Sequence, residues 1–361
     1  MAPSRTFTLK NKNKFLSQNI YIPFQNFQSV GGPSTFMRNL QTYLDQTSYS
    51  YVSNLEAADN IFFPVAYAVQ ELKEIKKRKG KVIQRLDGIY YPSKHGKKYR
   101  QLNAPIKKVY RNLADFVIFQ SEYSKKQCFK ILGMLPEERY KIIVNGVNQS
   151  IFYPNSDLPT PNGKFKLVTT GNFRNIDMIE PVVQALDQLP VNFELTIIGP
   201  ITNDSLKPFF NRPYINRLGS LPAREIAAVL RQQHIFVYSH LNPPCPNSVL
   251  EAVSTGLPIV GFASGAMEEL LYFSKKLLAS VSDEIFQEYC NFDVQLLQQK
   301  IQLAMHDYRK WREIALAYSH LYSFETCGKA YTDTFQAIDS LPSRPSRPIF
   351  RRFFTGIFAK T

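Results

Sequence analysis

The sequence contains few cysteines and no long run of apolar residues. The cysteines Cys128, Cys245, Cys290 and Cys327 are far apart and lack the paired spacing of a metal site. Isolated thiols of this kind are typical of reduced, cytosolic proteins and argue against a disulfide-rich secreted scaffold. No apolar stretch is long enough to cross a bilayer, and residues 1–15 contain no apolar signal-peptide core. We therefore expect a cytoplasmic protein.

Several catalytic motifs are also missing. The dinucleotide fingerprint G-x-G-x-x-G is absent, which argues against a nicotinamide-dependent enzyme. No pair of carboxylates can be assigned as the acid and base of a glycosidase. The five histidines are scattered. His234 and His240 bracket a short apolar run, and packing or surface positions explain them better than catalysis.

Acidic residues are outnumbered by basic ones. The chain has 44 Lys and Arg against 29 Asp and Glu, a formal net charge of +15, which predicts affinity for polyanions or anionic membranes. The basic residues concentrate between Lys73 and Arg111, where tyrosines are interleaved, and again with phenylalanines in residues 339–361. No nucleic-acid motif accompanies the charge, so we favour an anionic lipid surface over nucleic acid. A solvated helix face is the alternative.

Length and apolar pattern indicate two α/β domains. A chain of 361 residues is too long to fold around a single hydrophobic core. Its composition, 44% hydrophobic and 20% charged residues, is typical of a folded protein. Short apolar runs alternate with charged, helix-like segments, which predicts parallel sheets covered on both faces. The runs are residues 60–65, 81–85 and 116–120, followed by 165–170, 193–198 and 235–239.

The most informative segment is residues 242–270, NPPCPNSVLEAVSTGLPIVGFASGAMEEL. It predicts a proline-rich loop, a helix beginning near Asn247, a buried strand, and a second helix after a glycine turn. Two helix N-termini then lie at the mouth of a parallel sheet, where their unpaired N–H groups suit a diphosphate. Glu251 lies one turn inside the first helix, a position from which its carboxylate can reach two ribose hydroxyls.

This segment resembles the donor site of the group-1/group-4 glycosyltransferase family, retaining enzymes with the GT-B architecture. The matching residues are Glu251, Ala252, Gly256, Pro258, Gly265 and Glu269. Residues 145–154 resemble a second family segment, Asn-Gly-Val-Asp-x-x-x-Phe-x-Pro. The resemblance covers roughly residues 19–338. It implies an α/β fold of two doubly wound, Rossmann-like domains that face each other across a cleft.

The sequence also departs from the family pattern. Pro243 stands where the family has an acidic residue, Ala266 replaces the second glycine of a Gly-Gly pair, and Asn148 replaces an aspartate. Arg174 matches an arginine that neutralises the diphosphate, a task suited to a guanidinium. The lysine that follows this arginine in the family is missing, because residues 176–178 are Ile, Asp and Met.

The resemblance implies a role for each candidate donor-binding residue. Glycines before the first helix face the donor phosphates, the residues that open the later helix contact the nucleotide sugar, and Glu251 holds the ribose. Taken alone, two glycines before a helix more often form only a tight turn. The implied donor-binding residues are Gly31, Gly32, Arg174, Asn247, Ser248, Glu251, Gly265 and Glu269.

Asp87 is a candidate catalytic residue beside Arg174. It follows the apolar run KVIQRL at the carboxyl end of a strand, where open α/β sheets bind their ligands. Family members carry a His or Asp there, so the resemblance implies that Asp87 orients an acceptor hydroxyl or acts as its base. An ordinary Asp-Gly turn at residues 87–88 is the other interpretation.

The resemblance also implies a domain plan and an activity. Residues 1–154 bind the acceptor, 155–163 form a linker, 164–323 bind the donor, 324–338 form a helix that crosses back, and 339–361 form a basic aromatic tail. The implied enzyme is a metal-independent hexosyltransferase without a consumed cofactor. It moves a sugar, with retention, from a nucleoside-diphosphate sugar to a glycan or lipid-linked acceptor in cell-envelope or exopolysaccharide synthesis, peripherally on the inner membrane face.

Two alternatives stay open. A sugar-nucleotide epimerase of the same architecture would act without an acceptor. A non-catalytic binding module that has lost donor chemistry is consistent with Pro243 and the missing lysine.

Overall fold

The computed structural model describes residues 19–27, 32–155, 161–190 and 192–339. They form two α/β domains, each built around a parallel six-stranded sheet. The prediction of two Rossmann-like α/β domains is confirmed. Gly31, residues 156–160 of the predicted linker and residues 340–361 of the predicted tail lie outside the described residues.

The first domain has the strand order β2-β1-β3-β4-β5-β6. The strands are β1 (Ile20–Tyr21), β2 (Tyr51–Val52), β3 (Asn60–Pro64), β4 (Val82–Leu86), β5 (Phe116–Phe119) and β6 (Tyr140–Ile142). The helices are α1 (Gly32–Asp45), α2 (Val69–Lys77), α3 (Pro92–His95), α4 (Tyr99–Asn112) and α5 (Glu122–Leu132).

The central strands of this sheet read as continuous apolar runs because both faces are covered. Along β3, Ile61 and Phe63 pack into one buried cluster, while Phe62 between them packs into the cluster on the other face. Helix α1 covers the second face with Phe36, Met37, Leu40 and Leu44, which recur at helical spacing and are buried.

The second domain has the strand order β12-β11-β10-β7-β8-β9. The strands are β7 (Phe165–Thr170), β8 (Phe193–Ile198), β9 (Ile215–Gly219), β10 (Ile235–Tyr238), β11 (Ile259–Phe262) and β12 (Leu278–Ala279). The helices are α6 (Glu180–Asp187), α7 (Ala223–Leu230), α8 (Asn247–Ser254), α9 (Met267–Leu270), α10 (Val294–His306) and α11 (Tyr308–Ala317).

The strand order reverses between β7 and β10 in the second domain and between β1 and β3 in the first. At such a switch point the loops leave the sheet in opposite directions and open a crevice at the carboxyl ends of the strands. The two crevices therefore mark where a ligand would be held.

Helix α12 (Phe324–Asp339) follows the second domain in sequence but packs on the first. Ser323 pairs with Val147 in a parallel bridge, and the Phe324 N–H donates to the Val147 carbonyl at 2.9 Å. The rings of Tyr331 and Phe335 then lie 5.6 and 5.2 Å from the ring of Phe62. These contacts make α12 part of the first domain's core.

The basic segment between Lys73 and Arg111 is not one uniform surface. Lys81 is buried, and Lys76 forms a 2.6 Å ion pair with Asp115. Helix α4 exposes Lys107 and Lys108 together with other basic residues and the partly exposed Leu102. In the described part of the chain, no helix combines the length and the apolar character that crossing a bilayer requires.

Candidate functional site

The main cavity lies between the two domains and has a volume of about 570 Å³. The first domain contributes residues that follow β4, β5 and β6, together with the start of α1. The second contributes residues that follow β7 and β10. All these strands point their carboxyl ends toward the cavity, and open α/β sheets bind their ligands at that end.

The loop before α8 is fixed by its own hydrogen bonds. Asn242 adopts a positive φ of 53°, a strained conformation for a residue with a side chain. Its side-chain amide donates to the Gln287 carbonyl (2.9 Å) and accepts from the Gln287 N–H (2.8 Å). Its own N–H donates to Ser264 Oγ at 2.9 Å. The proline-rich segment therefore delivers the N-terminus of α8 to the cavity in a defined position.

Asn247, the first residue of α8, joins the two domains at the edge of the cavity. Its Oδ1 accepts a 2.8 Å hydrogen bond from Asn145 Nδ2, and its Nδ2 donates to the Gly32 carbonyl at 3.4 Å. Gly32, the second residue of the predicted Gly-Gly pair, thus lies opposite α8 in the wall of the same cavity.

Glu251 lies beside a second, smaller cavity of about 50 Å³ that shares Asn145 and Asn247 with the first. The side chain is half-buried, and burial raises the pKa of its carboxyl to about 8. Among the described residues, none donates a hydrogen bond to this carboxylate. A carboxyl group without a partner beside a cavity can accept a hydrogen bond from a hydroxyl group in either protonation state.

The raised pKa of Glu251 predicts a pH-dependent stability. Between about pH 4.5 and 8 the folded protein holds a proton that the unfolded chain releases, so the free energy of unfolding decreases as pH rises. We expect the wild type to lose at least about 1 kcal/mol, or roughly 2–4 °C in Tm, relative to Glu251→Gln between pH 5 and 8.5. Thermal unfolding of both proteins across this range measures the difference. Parallel Tm curves would contradict it.

Asp87 lies in the wall of the main cavity but is already ion-paired. Its Oδ1 accepts hydrogen bonds from Arg85 Nη1 and, at 2.8 Å, from Gln120 Nε2. Its Oδ2 is buried and has no partner in the described part of the chain. The carboxylate charge is therefore balanced within the protein, while one oxygen remains able to accept a hydrogen bond.

Arg85 organises the residues around Asp87. It is 1% exposed, donates to Asn145 Oδ1 at 2.7 Å and to the Tyr331 hydroxyl at 3.0 Å, and stacks over the Phe36 ring at 3.6 Å. It thereby links β4 to helix α12 and to Asn145, which in turn contacts α8.

The loop after β7 brings Arg174 and Asp177 to the cavity. Arg174 is exposed, and its carbonyl is fixed by a 3.1 Å hydrogen bond from Asn203 Nδ2. Asp177, within the segment where the family's lysine was expected, is buried and accepts from the Leu241 N–H at 3.0 Å. Burial raises the pKa of its carboxyl, and this hydrogen bond opposes the rise.

Three other predicted donor-binding residues line neither cavity. Glu269 accepts from the N–H groups of Glu122 (3.0 Å) and Tyr123 (3.2 Å), so its carboxylate caps helix α5 of the opposite domain. Gly265 has a φ of +65°, and a Cβ there would lie 2.5 Å from Pro243 Cδ. Position 265 therefore requires glycine, because the backbone turns here with positive φ directly against Pro243. Ser248 lies half-buried in the first turn of α8.

The structure therefore brings Gly32, Asp87, Arg174 and Asn247 into one cavity and places Glu251 beside it. Sequence reasoning missed several polar residues of the cavity wall, among them Lys94, Gln120, Asn145 and Asp177. Asn145 could have been identified from the sequence, because it belongs to the Asn-Gly-Val motif. The others could not, since a charge run or a polar residue after a strand is typical of an ordinary surface.

The second domain, which carries α8 and Glu251, is similar to a known protein family. Residues 164–290, which contain Arg174, α8 and Glu251, match the family model described as glycosyl transferases group 1. This part of the chain is a group 1 glycosyltransferase domain. The family resemblance predicted from the sequence is confirmed. No curated protein gives a significant match.

Solved glycosyltransferase structures share the whole arrangement of two domains. Sucrose-phosphate synthase from Thermosynechococcus elongatus has a TM-score of 0.71 at 13% identity, covering 89% of this chain and 99% of that one. HepE from Anabaena in complex with UDP-glucose has a TM-score of 0.67 at 14% identity, covering 89% and 100%. WaaG, a glycosyltransferase involved in lipopolysaccharide biosynthesis, has a TM-score of 0.63 at 12% identity, covering 87% and 99%. These likenesses confirm the GT-B fold.

The group 1 match covers residues 164–290, and the GT-B fold extends over both domains. Within the described ranges, no group of three or more His, Cys, Asp or Glu side chains is arranged to hold a metal ion.

Proposed function

We propose that the protein transfers a hexose, with retention, from a nucleoside-diphosphate sugar to a glycan or lipid-linked acceptor. The observation that carries this proposal is the unpartnered carboxyl group of Glu251 one turn inside α8, beside a small cavity that adjoins the one Arg174 lines. The arrangement supplies an acceptor for ribose hydroxyls and a cation for phosphates in two neighbouring cavities, which share Asn145 and Asn247.

The donor would lie across the two neighbouring cavities. Its ribose would donate to Glu251, and its diphosphate would lie near Arg174 and the N-terminus of α8, whose N–H groups and dipole favour anions. Arg174 would then stabilise the charge that develops on the departing nucleoside diphosphate. Charge stabilisation by these groups supports a reaction that uses neither a metal nor a consumed cofactor.

The acceptor would enter from the first domain. Asp87 supports this role, because it lines the main cavity and its Oδ2 has no hydrogen-bond partner among the described residues. The ion pair with Arg85 supports an orienting role over that of a free base.

The exposed basic residues of α4 support a peripheral position on an anionic membrane in the cytoplasm. There the protein would meet a lipid-linked acceptor of cell-envelope or exopolysaccharide synthesis. The lipopolysaccharide role of WaaG, which shares the fold, supports this setting. The UDP-glucose complex of HepE makes a UDP-sugar the first donor to test.

A second candidate function is a non-catalytic binding module. Pro243 occupies the position of an expected acid, and Glu269 is committed to capping α5. Both observations favour a domain that kept its binding surface and lost its catalytic activity. A sugar-nucleotide epimerase of the same architecture is the remaining alternative, and it would release nucleotide or epimerise its substrate without an acceptor.

Thermal unfolding with nucleotides tests the proposal. We expect one of UDP, GDP, ADP or dTDP, at about a hundred times its Kd, to stabilise the wild type by roughly 2–3 kcal/mol. Glu251→Ala should lose most of this effect, because the ribose hydroxyls lose their acceptor. Glu313→Ala, which removes an exposed glutamate of α11, is the matched control and should keep it. If none of the four nucleotides stabilises the wild type, the binding-module function is favoured.

A further inference from the structure

Lys94 lies in the wall of the main cavity, on the side opposite Arg174 and Asp177. It belongs to helix α3, which follows β4 in the first domain, whereas Arg174 and Asp177 follow β7 in the second. Among the described residues that line this cavity, Lys94 is the one lysine. Two cations therefore face each other from opposite domains.

The segment that carries Lys94 is held on both sides. Buried Asn103 brackets Tyr90, accepting from its N–H at 3.1 Å and donating to its carbonyl at 2.6 Å. The ring of Tyr91 stacks on Phe286 of the second domain, with centroids 5.1 Å apart and planes 9° apart. These contacts give α3, and with it Lys94, a fixed place in the cleft.

The cavity carries an excess of positive charge. Arg85 and Asp87 offset each other, and burial lowers the pKa of His240 to about 3, so this histidine is neutral. The remaining charges in the cavity wall are the positive charges of Lys94 and Arg174 and the negative charge of Asp177. Burial and the charge of Arg174 lower the pKa of Lys94, and Asp177 only partly opposes this. An anion between the two cations would relieve the imbalance.

We propose that Lys94 is the second cation for the donor's diphosphate, supplied by the first domain. This inference rests on the proposed function and completes it, since the second domain has no lysine after Arg174 at residues 176–178. The diphosphate would then touch both domains at once. A nucleoside monophosphate, with one phosphate group fewer, would gain less from Lys94.

Calorimetric titration shows whether Lys94 binds the diphosphate specifically or affects nucleotide binding in general. The probes are UDP, GDP, ADP and dTDP with their matching monophosphates, and the variants are Lys94→Ala and Lys94→Arg. Lys97→Ala is the matched control, because Lys97 is exposed on the same segment and does not line the cavity. We expect Lys94→Ala to weaken diphosphate binding about tenfold, typical of one lost charge-assisted hydrogen bond, and monophosphate binding less than about twofold. Lys94→Arg should keep diphosphate affinity within about threefold.

The possible outcomes are distinct. Diphosphate affinities that are equal in Lys94→Ala and Lys97→Ala overturn the inference and leave the proposed function standing. Equal losses for monophosphate and diphosphate, with a lowered Tm, show a structural role and overturn it as well. If the wild type binds no nucleotide of either kind, the proposed function and this inference both fail.

Discussion

Replacing Arg174 with alanine is expected to lower kcat by about 10²- to 10³-fold, the usual cost of removing one group that stabilises developing charge. Arg174 projects from the loop after β7 into the main cavity, where the leaving diphosphate would be bound. Asn203 Nδ2 donates a hydrogen bond to the Arg174 carbonyl, so the loop that carries the guanidinium is anchored. The side chain is exposed, and the substitution should therefore leave Tm within about 1 °C. Release of nucleoside diphosphate from the donor measures the rate.

Two variants show whether the loss is specific. Arg174→Lys keeps the charge but loses the two-pronged grip on phosphate, so its rate should lie between those of the wild type and the alanine variant. Arg309→Ala removes an exposed arginine of α11 and should be fully active. A rate for Arg174→Ala within threefold of the wild type would remove Arg174 from the proposed mechanism.

Replacing Arg85 with methionine is expected to destabilise the first domain by about 3–5 kcal/mol. The substitution leaves the Asp87 carboxylate buried without its cation and deprives Asn145 and the Tyr331 hydroxyl of a donor. The stacking of the guanidinium on Phe36 is lost as well. Urea unfolding, followed by a probe in the first domain, measures the change in free energy.

The double variant Arg85→Met with Asp87→Asn identifies the cause. Because it removes both charges, it should regain more than half of the lost stability. Arg309→Met, on the surface, should change stability by less than about 0.5 kcal/mol. An Arg85→Met protein within about 1 kcal/mol of the wild type would show that this ion pair is not a structural element of the domain.

The two-domain fold was predictable because its strands are buried on both faces. The runs at residues 60–65 and 116–120 became β3 and β5, since a parallel sheet between helix layers requires continuous apolar segments. The helix predicted to begin near Asn247 is α8. Its proline-rich approach and its glycine stop are local signals that do not depend on the rest of the chain.

The site was less predictable because its residues meet only in three dimensions. Lys94 lay in a basic run that looks like any solvated helix face, and only the loop after β7 gives it a partner. Glu269 matched a donor-site motif, but its carboxylate binds the N–H groups at the start of α5 and does not line the main cavity. Arg85 is a buried charge within an apolar run, and no local pattern reveals that Asp87, Asn145 and Tyr331 surround it.

The position of α12 sets the order in which the chain can finish folding as it is synthesised. One face of the first sheet, including Phe62, Ile83 and Ile118, is completed by Tyr331 and Phe335. The ribosome makes these two residues only after both sheets. The usual sequence, in which the earlier domain is finished first, is therefore reversed here. The nascent first domain must wait with an open apolar face until the second has emerged.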